Sequence, residues 1–380
     1  MNQPVTTLIL GPSGSGKTVF LASMYAYLNH ECKQTGFFFK AQKEQADKLR
    51  EVFYGISDTD RAEVDVWPHG TAGQVEYLME LQGYAEGGGK TVGKVRYLDY
   101  AGGWISHEAT RPPSFDEDVR TANVVVFLLD GKVLMDAMEG NVKRLQRYLG
   151  DLSRLARDIE KIENVQFVIT KFDYLEAKGV SLSDVRSFLD QEEDWVKIID
   201  LFKDRPSKLN IRLIPVSAVG QQFCHWDGQK FVRNAEARLK PENLDLPFAL
   251  ALGQMFKQKA ELEEKKANLQ IKIKKTEQRE RRWWEMAAEW GSKALDMIGD
   301  AMDHVIPGPP AAKPVVRMLL GGLFSMGNSA AKDAEFEAQR AAAIASLEGE
   351  AKYHAALVTR VLKNAMLFEQ KYPECKILGD

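Results

Sequence analysis

Residues 11–18 read Gly-Pro-Ser-Gly-Ser-Gly-Lys-Thr, between an apolar run at Val5 to Leu10 (VTTLIL) and a stretch with helical apolar spacing at Val19 to Leu28. A strand, a glycine-rich loop and a helix in that order are the context in which the pattern GxxxxGK[ST] cradles phosphate. Gly11, Ser13, Gly14, Ser15 and Gly16 form the candidate cradle, because glycines let backbone N–H groups turn inward toward the positive end of the following helix. Lys17 would reach the outer phosphates, and the Thr18 hydroxyl would ligate Mg²⁺. The plainer alternative is a glycine turn that merely joins strand to helix.

Three further strand ends extend the pattern. Val95 to Gly103 (VRYLDYAGG) is an alternating strand closed by an acid and then glycines. A carboxylate in that place can hold the Mg²⁺ shell, which makes Asp99 a metal candidate, and Gly102 can bring its backbone N–H close to a γ-phosphate because no side chain intervenes. Asn123 to Leu129 reads as a buried strand, and Val165 to Thr170 as another that runs into Thr170-Lys171-Phe172-Asp173. A carboxylate at Asp173 can accept hydrogen bonds from both the N1 and N2 donors of guanine, a pair that adenine lacks. The last strand, Ile211 to Val216, leads into Ser217-Ala218-Val219, where a backbone N–H can meet the guanine carbonyl.

The composition narrows the classes without choosing among them. With 380 residues, 44% hydrophobic and 28% charged, the chain has room for about two domains. A net charge of −3 exerts no global pull on nucleic acid or membrane, so any anion binding is local. Cys32, Cys224 and Cys375 have no pairing or metal spacing, and strand character begins by Val5, so a reducing cytoplasm without a secretory leader is expected. The longest apolar run, Val315 to Gly327, is interrupted by Arg317 and falls short of a spanning helix.

The four elements, each at the carboxyl end of an expected strand, resemble the P-loop GTPases of the Ras-like and translation-factor-like (TRAFAC) superfamily over roughly residues 4–235. The resemblance implies an α/β G domain with a mostly parallel sheet, GTP and GDP as ligands with Mg²⁺, and hydrolysis of GTP as the activity. It carries Thr170, Lys171 and Asp173 to the guanine ring, Ser217 and Ala218 to its carbonyl, and Lys17 with Gly102 to the γ-phosphate. The superfamily also needs a switch threonine that joins the metal shell in the triphosphate state. Thr35, Thr59 and Thr71 lie in the right interval. Thr71 is preferred because it precedes an expected hairpin of Tyr77 to Tyr84 and Thr91 to Leu98, the alternative being a plain turn residue in Trp67-Pro68-His69-Gly70-Thr71. Where Ras-like enzymes place a water-orienting glutamine, this chain has Gly103 and Trp104, so unaided hydrolysis is expected to be slow. His107, Glu108, a partner or a second copy are the candidates for positioning the water. More narrowly, GPSGSGKT, WPHGT and DYAGG are similar to bacterial G domains of conflict and defence gene clusters.

The expected G domain covers residues 1–240, and residues 241–380 read differently. Beyond Pro247 strand signals stop, and Met255, Leu262, Leu269, Thr276, Trp283, Trp290 and Met297 recur every seven residues. A second seam runs through Leu347, His354, Val361 and Phe368, with Ile344, Ala351, Val358 and Ala365. Pro307-Gly308-Pro309-Pro310 separates the two, so an all-α helical hairpin (coiled coil) is expected. Phe248 to His304, if continuous, would extend roughly 85 Å. Trp284, Ile298 and Val305 widen the apolar face near the tip, so residues 283–326 are the expected surface for folding back, a protein partner or self-association, or a membrane surface. No specific nucleic-acid signal is present. The reading is a nucleotide-controlled molecular switch. Its alternatives are a nucleotide-dependent scaffold with little hydrolysis and a dynamin-like membrane remodeller.

Overall fold

The computed structural model describes residues 5–29, 37–58, 67–68, 73–83, 90–100, 102, 112–159, 162, 164–205, 209–234, 236–251, 361 and 363–378. Thr71 and His107, the other two switch threonines, and almost all of the expected hairpin, including residues 283–326, lie outside these residues.

The chain runs β1 (Val5–Leu10), α1 (Lys17–Leu28), β2 (Phe37–Ala41), α2 (Lys43–Ser57), β3 (Gln74–Gly83), β4 (Lys90–Tyr100), α3 (Pro113–Thr121), β5 (Val124–Asp130), α4 (Gly131–Met138) and α5 (Lys143–Asp158). It continues with β6 (Asn164–Thr170), α6 (Phe172–Ala177), α7 (Leu182–Leu189), α8 (Glu193–Lys203), β7 (Asn210–Pro215), β8 (Cys224–Trp226), β9 (Phe231–Arg233) and β10 (Lys376–Leu378). Helical residues 246–251 and 363–371 lie between β9 and β10. One eight-stranded sheet has the order β10-β7-β6-β5-β1-β4-β3-β2. β4, β1, β5, β6 and β7 are mutually parallel, and β2, β3 and β10 run antiparallel to their neighbours. This is the α/β G-domain architecture expected from the strand ends. The β3–β4 pair is the expected hairpin, longer at both strands.

Parallel strands covered on both faces need apolar side chains in both directions. VVVFLLD in β5 and NVQFVIT in β6 are accordingly buried throughout. On one face Leu10, Phe127, Phe167 and Leu213 stand in register, and Trp195 of α8 packs edge-on against Phe167 at 4.5 Å. On the other face the row is Ile9, Val126, Gln166 and Arg212. Phe20 and Met24 of α1 and Phe248 cover its apolar part. Its polar part holds the returning chain: Gln166 Nε2 donates to the Pro247 carbonyl at 2.7 Å, and the fully buried Arg212 donates to Glu369 Oε1 and the Leu378 carbonyl, each at 2.7 Å.

Two expectations change here. Strand structure does not stop at Pro247, because β10 pairs with β7 at the sheet edge. The second-seam residues Val361, Ala365 and Phe368 are buried in the core of the sheet domain, together with Phe248 to Ala251. Apolar spacing of three, four and seven fits any packed helix face, so it did not distinguish a sheet from a partner helix. The boundary at 240/241 therefore separates residues that share one core. Among the described residues no helix is long and apolar enough to cross a membrane.

Removing Glu369 takes away the carboxylate paired with the Arg212 guanidinium, whose side chain has no exposure. Glu369→Ala should cost about 3 to 5 kcal/mol in urea denaturation. Hydrogen exchange in residues 363–378 should speed up, and Glu369→Gln should lose less because it keeps an acceptor for Arg212 Nε.

Candidate nucleotide-binding site

The carboxyl ends of the parallel strands and the hairpin β8–β9 enclose one cavity of about 460 Å³, within the range of ligand pockets. Its floor is the loop between β1 and α1. Gly14 and Gly16 have φ of 79° and 84°, left-handed values that ordinary residues adopt at a cost, so the sequence needs glycine at both turns. Lys17 opens α1 and is buried, with Nζ donating to the Gly11 carbonyl at 2.7 Å and to the Pro12 carbonyl at 3.1 Å. Burial lowers its pKa from the usual lysine value, and the Asp99 carboxylate opposes that shift.

Asp99 is itself buried at the end of β4, directly beside Ile9 of β1 in the sheet register. Gly102 follows against the loop so closely that a Cβ there would lie 2.2 Å from the Ser13 nitrogen. Ser13, Gly14, Gly16, Lys17, Thr18 and Gly102 all line the cavity.

The other end of the cavity is built on β6 and β7. Thr170 Oγ1 donates to the Ser15 carbonyl at 2.8 Å, which pins the end of β6 to the loop. Lys171 takes a left-handed backbone conformation, φ 54° and ψ 36°, which costs a non-glycine residue of order 1 kcal/mol. Its ammonium repays that by donating to Gly14 O at 3.0 Å and Asp130 Oδ2 at 2.8 Å. Asp173 is buried in the first turn of α6, where its Oδ1 accepts from Ser217 Oγ at 2.6 Å. Ser217 Oγ accepts in turn from the Gly220 amide at 2.8 Å. Burial raises the Asp173 pKa above the ordinary carboxyl value, and the Ser217 bond works against the rise. Ala218 and Val219 line the wall beside it.

The structure thus gathers Lys17, Thr18, Gly102, Thr170, Lys171, Asp173 and Ala218 around one space, with Ser217 behind Asp173. Sequence reasoning did not find Asp130, Lys132, Arg144, Trp67, Trp226 and Phe231, which line the same space. Asp130 carries the signal that identified Asp99, an acid closing a buried strand. Its Oδ1 caps α4 by accepting from the Lys132 amide at 2.9 Å. Trp226 and Phe231 flank Asp227-Gly228, a turn pair between aromatic residues that signals a hairpin. Cys224 also lines the cavity, and burial pushes its thiol up to about 12, so it serves as apolar wall.

The residues present fit a nucleotide. Gly14 and Gly16 line the cavity with no Cβ to fill the cradle, and Lys17 opens the helix beside them. Among the described residues no group of three histidine, cysteine or acidic side chains could hold a metal by itself. Thr18 and Asp99 offer hard oxygen ligands of the kind Mg²⁺ takes alongside phosphate oxygens and water.

Comparison with a family model points the same way. The family model for Double-GTPase 2 matches residues 8–210. No curated protein matches the sequence. Among solved structures, the chain is similar to the signal recognition particle receptor SRb-GTP/SRX complex from Chaetomium thermophilum, at 17% identity over 58% of this chain and 94% of that one, with a TM-score of 0.34. It is also similar to the GTP-bound Ski7 GTPase-like domain of S. cerevisiae, at 12% identity over 67% of this chain and a TM-score of 0.37. The match spans 50% of that yeast chain's length.

Ser217→Ala removes the hydroxyl that donates to Asp173, so the Asp173 carboxyl should titrate at higher pH still, read from its ¹³C chemical shift. A carboxyl raised by folding favours the folded state at acid pH, and that contribution is lost as pH rises through the folded value. The variant should therefore lose about 1 to 3 kcal/mol near neutrality and less in acid.

Proposed function

Since the chain belongs to the Double-GTPase 2 family, we propose that it binds GTP and GDP in the cavity above the parallel strands and hydrolyses GTP slowly. The observation that carries this reading is a buried carboxylate, Asp173, held by Ser217 in the same cavity as the glycine loop and Lys17. A carboxylate there matches the two donors on the guanine edge. Lys171 and Thr170 hold the base end of the site at a fixed distance from the phosphate loop.

In this reading the loop amides and Lys17 bind and orient the phosphates. Lys17 would exchange its bonds to the Gly11 and Pro12 carbonyls for phosphate oxygens. Thr18 and Asp99 would hold Mg²⁺, which when bound neutralises phosphate charge as a Lewis acid. Gly102 would present its backbone to the γ-phosphate from its seat on Ser13, and Thr71 would complete the metal shell. His107 is the candidate on this chain for orienting the attacking water, with a partner or second copy as the other source. The output would pass through the segment between residues 251 and 361 to a partner or another copy, with residues 283–326 as the contact and bacterial defence as one setting.

Lys17→Ala should weaken GTP and GDP binding by about 100-fold or more, since it removes charge-assisted bonds to phosphate. Its thermal midpoint should stay close to that of the parent. Undiminished affinity for GTP would remove the phosphate-loop assignment. Asp173→Asn should lose about 10- to 100-fold in GDP affinity while gaining affinity for xanthosine diphosphate, whose C2 carbonyl accepts from an amide. Equal competition by ATP and GTP in the parent chain would contradict the guanine reading.

A further inference from the structure

The short hairpin β8–β9 follows the Ser217-Ala218 turn and is absorbed by none of the roles above, yet two of its aromatic rings form a wall of the cavity. Trp226 and Phe231 are only partly buried, with ring centroids 5.2 Å apart and planes at 65°. Each is fixed by a cation: Lys132 Nζ lies 4.7 Å from the Trp226 centroid, and Lys171 Nζ lies 5.1 Å from that of Phe231. Tyr174, one residue beyond Asp173, meets Phe231 edge-on at 5.5 Å. The turn is closed by Asp227 Oδ1, which accepts from the Gln229 and Lys230 amides at 2.7 and 2.8 Å. Rings packed in this way, lining the space that Asp173 also lines, are suited to stack on a flat ligand.

The same hairpin is fastened to the segment between β2 and β3. Trp67 Nε1 donates to the Phe231 carbonyl at 2.7 Å. Arg233 donates to the Ser57 carbonyl at 3.1 Å and to the Asp58 carbonyl, at the end of α2. Trp67 and Val52 also pack on the small apolar cluster of Ile56, Val219 and Phe223. By sequence Trp67 stands four residues before Thr71.

We propose that the β8–β9 hairpin is a nucleobase wall in which Trp226 stacks on the purine, and that Trp67 is the positioning residue through which base occupancy reaches the segment leading to Thr71. The inference rests on the nucleotide reading above and adds a route by which the base, rather than the γ-phosphate, bears on that segment. A hairpin held in place by a bound purine would restrain Trp67 through the Phe231 carbonyl, whichever phosphate state is bound.

Titration with GDP and with tripolyphosphate, which has no base, tests the wall. Trp226→Ala should lose about tenfold or more in GDP affinity beyond any change for tripolyphosphate, the scale of one base–aromatic stack. Trp226→Phe should recover most of that loss, and tripolyphosphate binding by the alanine variant reports that its loop remains folded. Hydrogen exchange of residues 67–74, at GDP saturating each protein, tests the tie, because GDP has no γ-phosphate to hold a switch segment. Slowing by GDP in the parent chain that disappears in Trp67→Phe, which keeps a ring but no indole N–H, is the expected result. A chain that binds neither GDP nor tripolyphosphate overturns the nucleotide reading and the wall with it. If GDP binds and Trp226→Ala weakens both ligands equally, the wall alone falls. Slowing that is absent, or that persists in Trp67→Phe, overturns the tie.

Discussion

Everything at this site depends on five parallel strands ending at one edge of the sheet. Register alone sets Asp99 beside Ile9, Leu10 beside Phe127, Asp130 beside Thr170 and Ile169 beside Pro215. Residues far apart in sequence are therefore delivered to one line, and ligands bind in the crevice outside the carboxyl ends of such strands. The Lys171 ammonium then draws that line together. It joins the phosphate loop at Gly14, the end of β5 at Asp130 and the ring of Phe231. A left-handed backbone at a lysine persists only where such bonds hold it.

The opposite demand, keeping polar groups off a buried sheet face, is relaxed where the chain returns. Gln166 and Arg212 are fully buried beneath residues 246–251 and 363–378, and each bonds to the returning backbone. An arginine with no exposure is tolerable because Glu369 and the Leu378 and Ile211 carbonyls accept from it. Ala251 and Val361 both belong to the core of the sheet domain, so the chain on either side of residues 252–360 is held by the same sheet.

The legible part of the sequence was the part whose pattern is local. A buried strand closed by a glycine loop, DxxG or TKFD announces both the element and its chemistry, as for β1, β4 and β6, whereas β5 and β7 are legible from their apolar runs. What escaped depends on tertiary partners. β10 has three residues and is a strand only because β7 offers an edge. Val361 and Phe368 have spacing that fits a helix partner as well as a sheet. Trp226 and Phe231 gave no periodic signal, because their rings face a cavity beside a two-stranded hairpin rather than the main core. Asp130 could have been read, since β5 ends in an acid just as β4 does.

The electrostatics show why whole-chain charge said little about the ligand. The chain carries a net charge of −3. The cavity reverses that sign locally: among the described residues Lys17, Lys132, Arg144, Lys171 and Lys230 line it against Asp130 and Asp173, five cations to two carboxylates. Asp130 is engaged by Lys171, and Asp173 sits at the base end with Ser217. The end nearer the glycine loop keeps Lys17 and the loop amides, close to the positive end of α1, with the Asp99 carboxylate acting on Lys17 from β4. Field lines concentrate in a cleft with low-dielectric walls, whereas opposing charge elsewhere on the surface is screened beyond about 8 to 10 Å at ordinary ionic strength. A polyanion would therefore meet an attractive site on an otherwise acidic protein. The separation of charge along the cavity also gives such a ligand one favoured direction, phosphates toward Lys17 and a donor-bearing base toward Asp173.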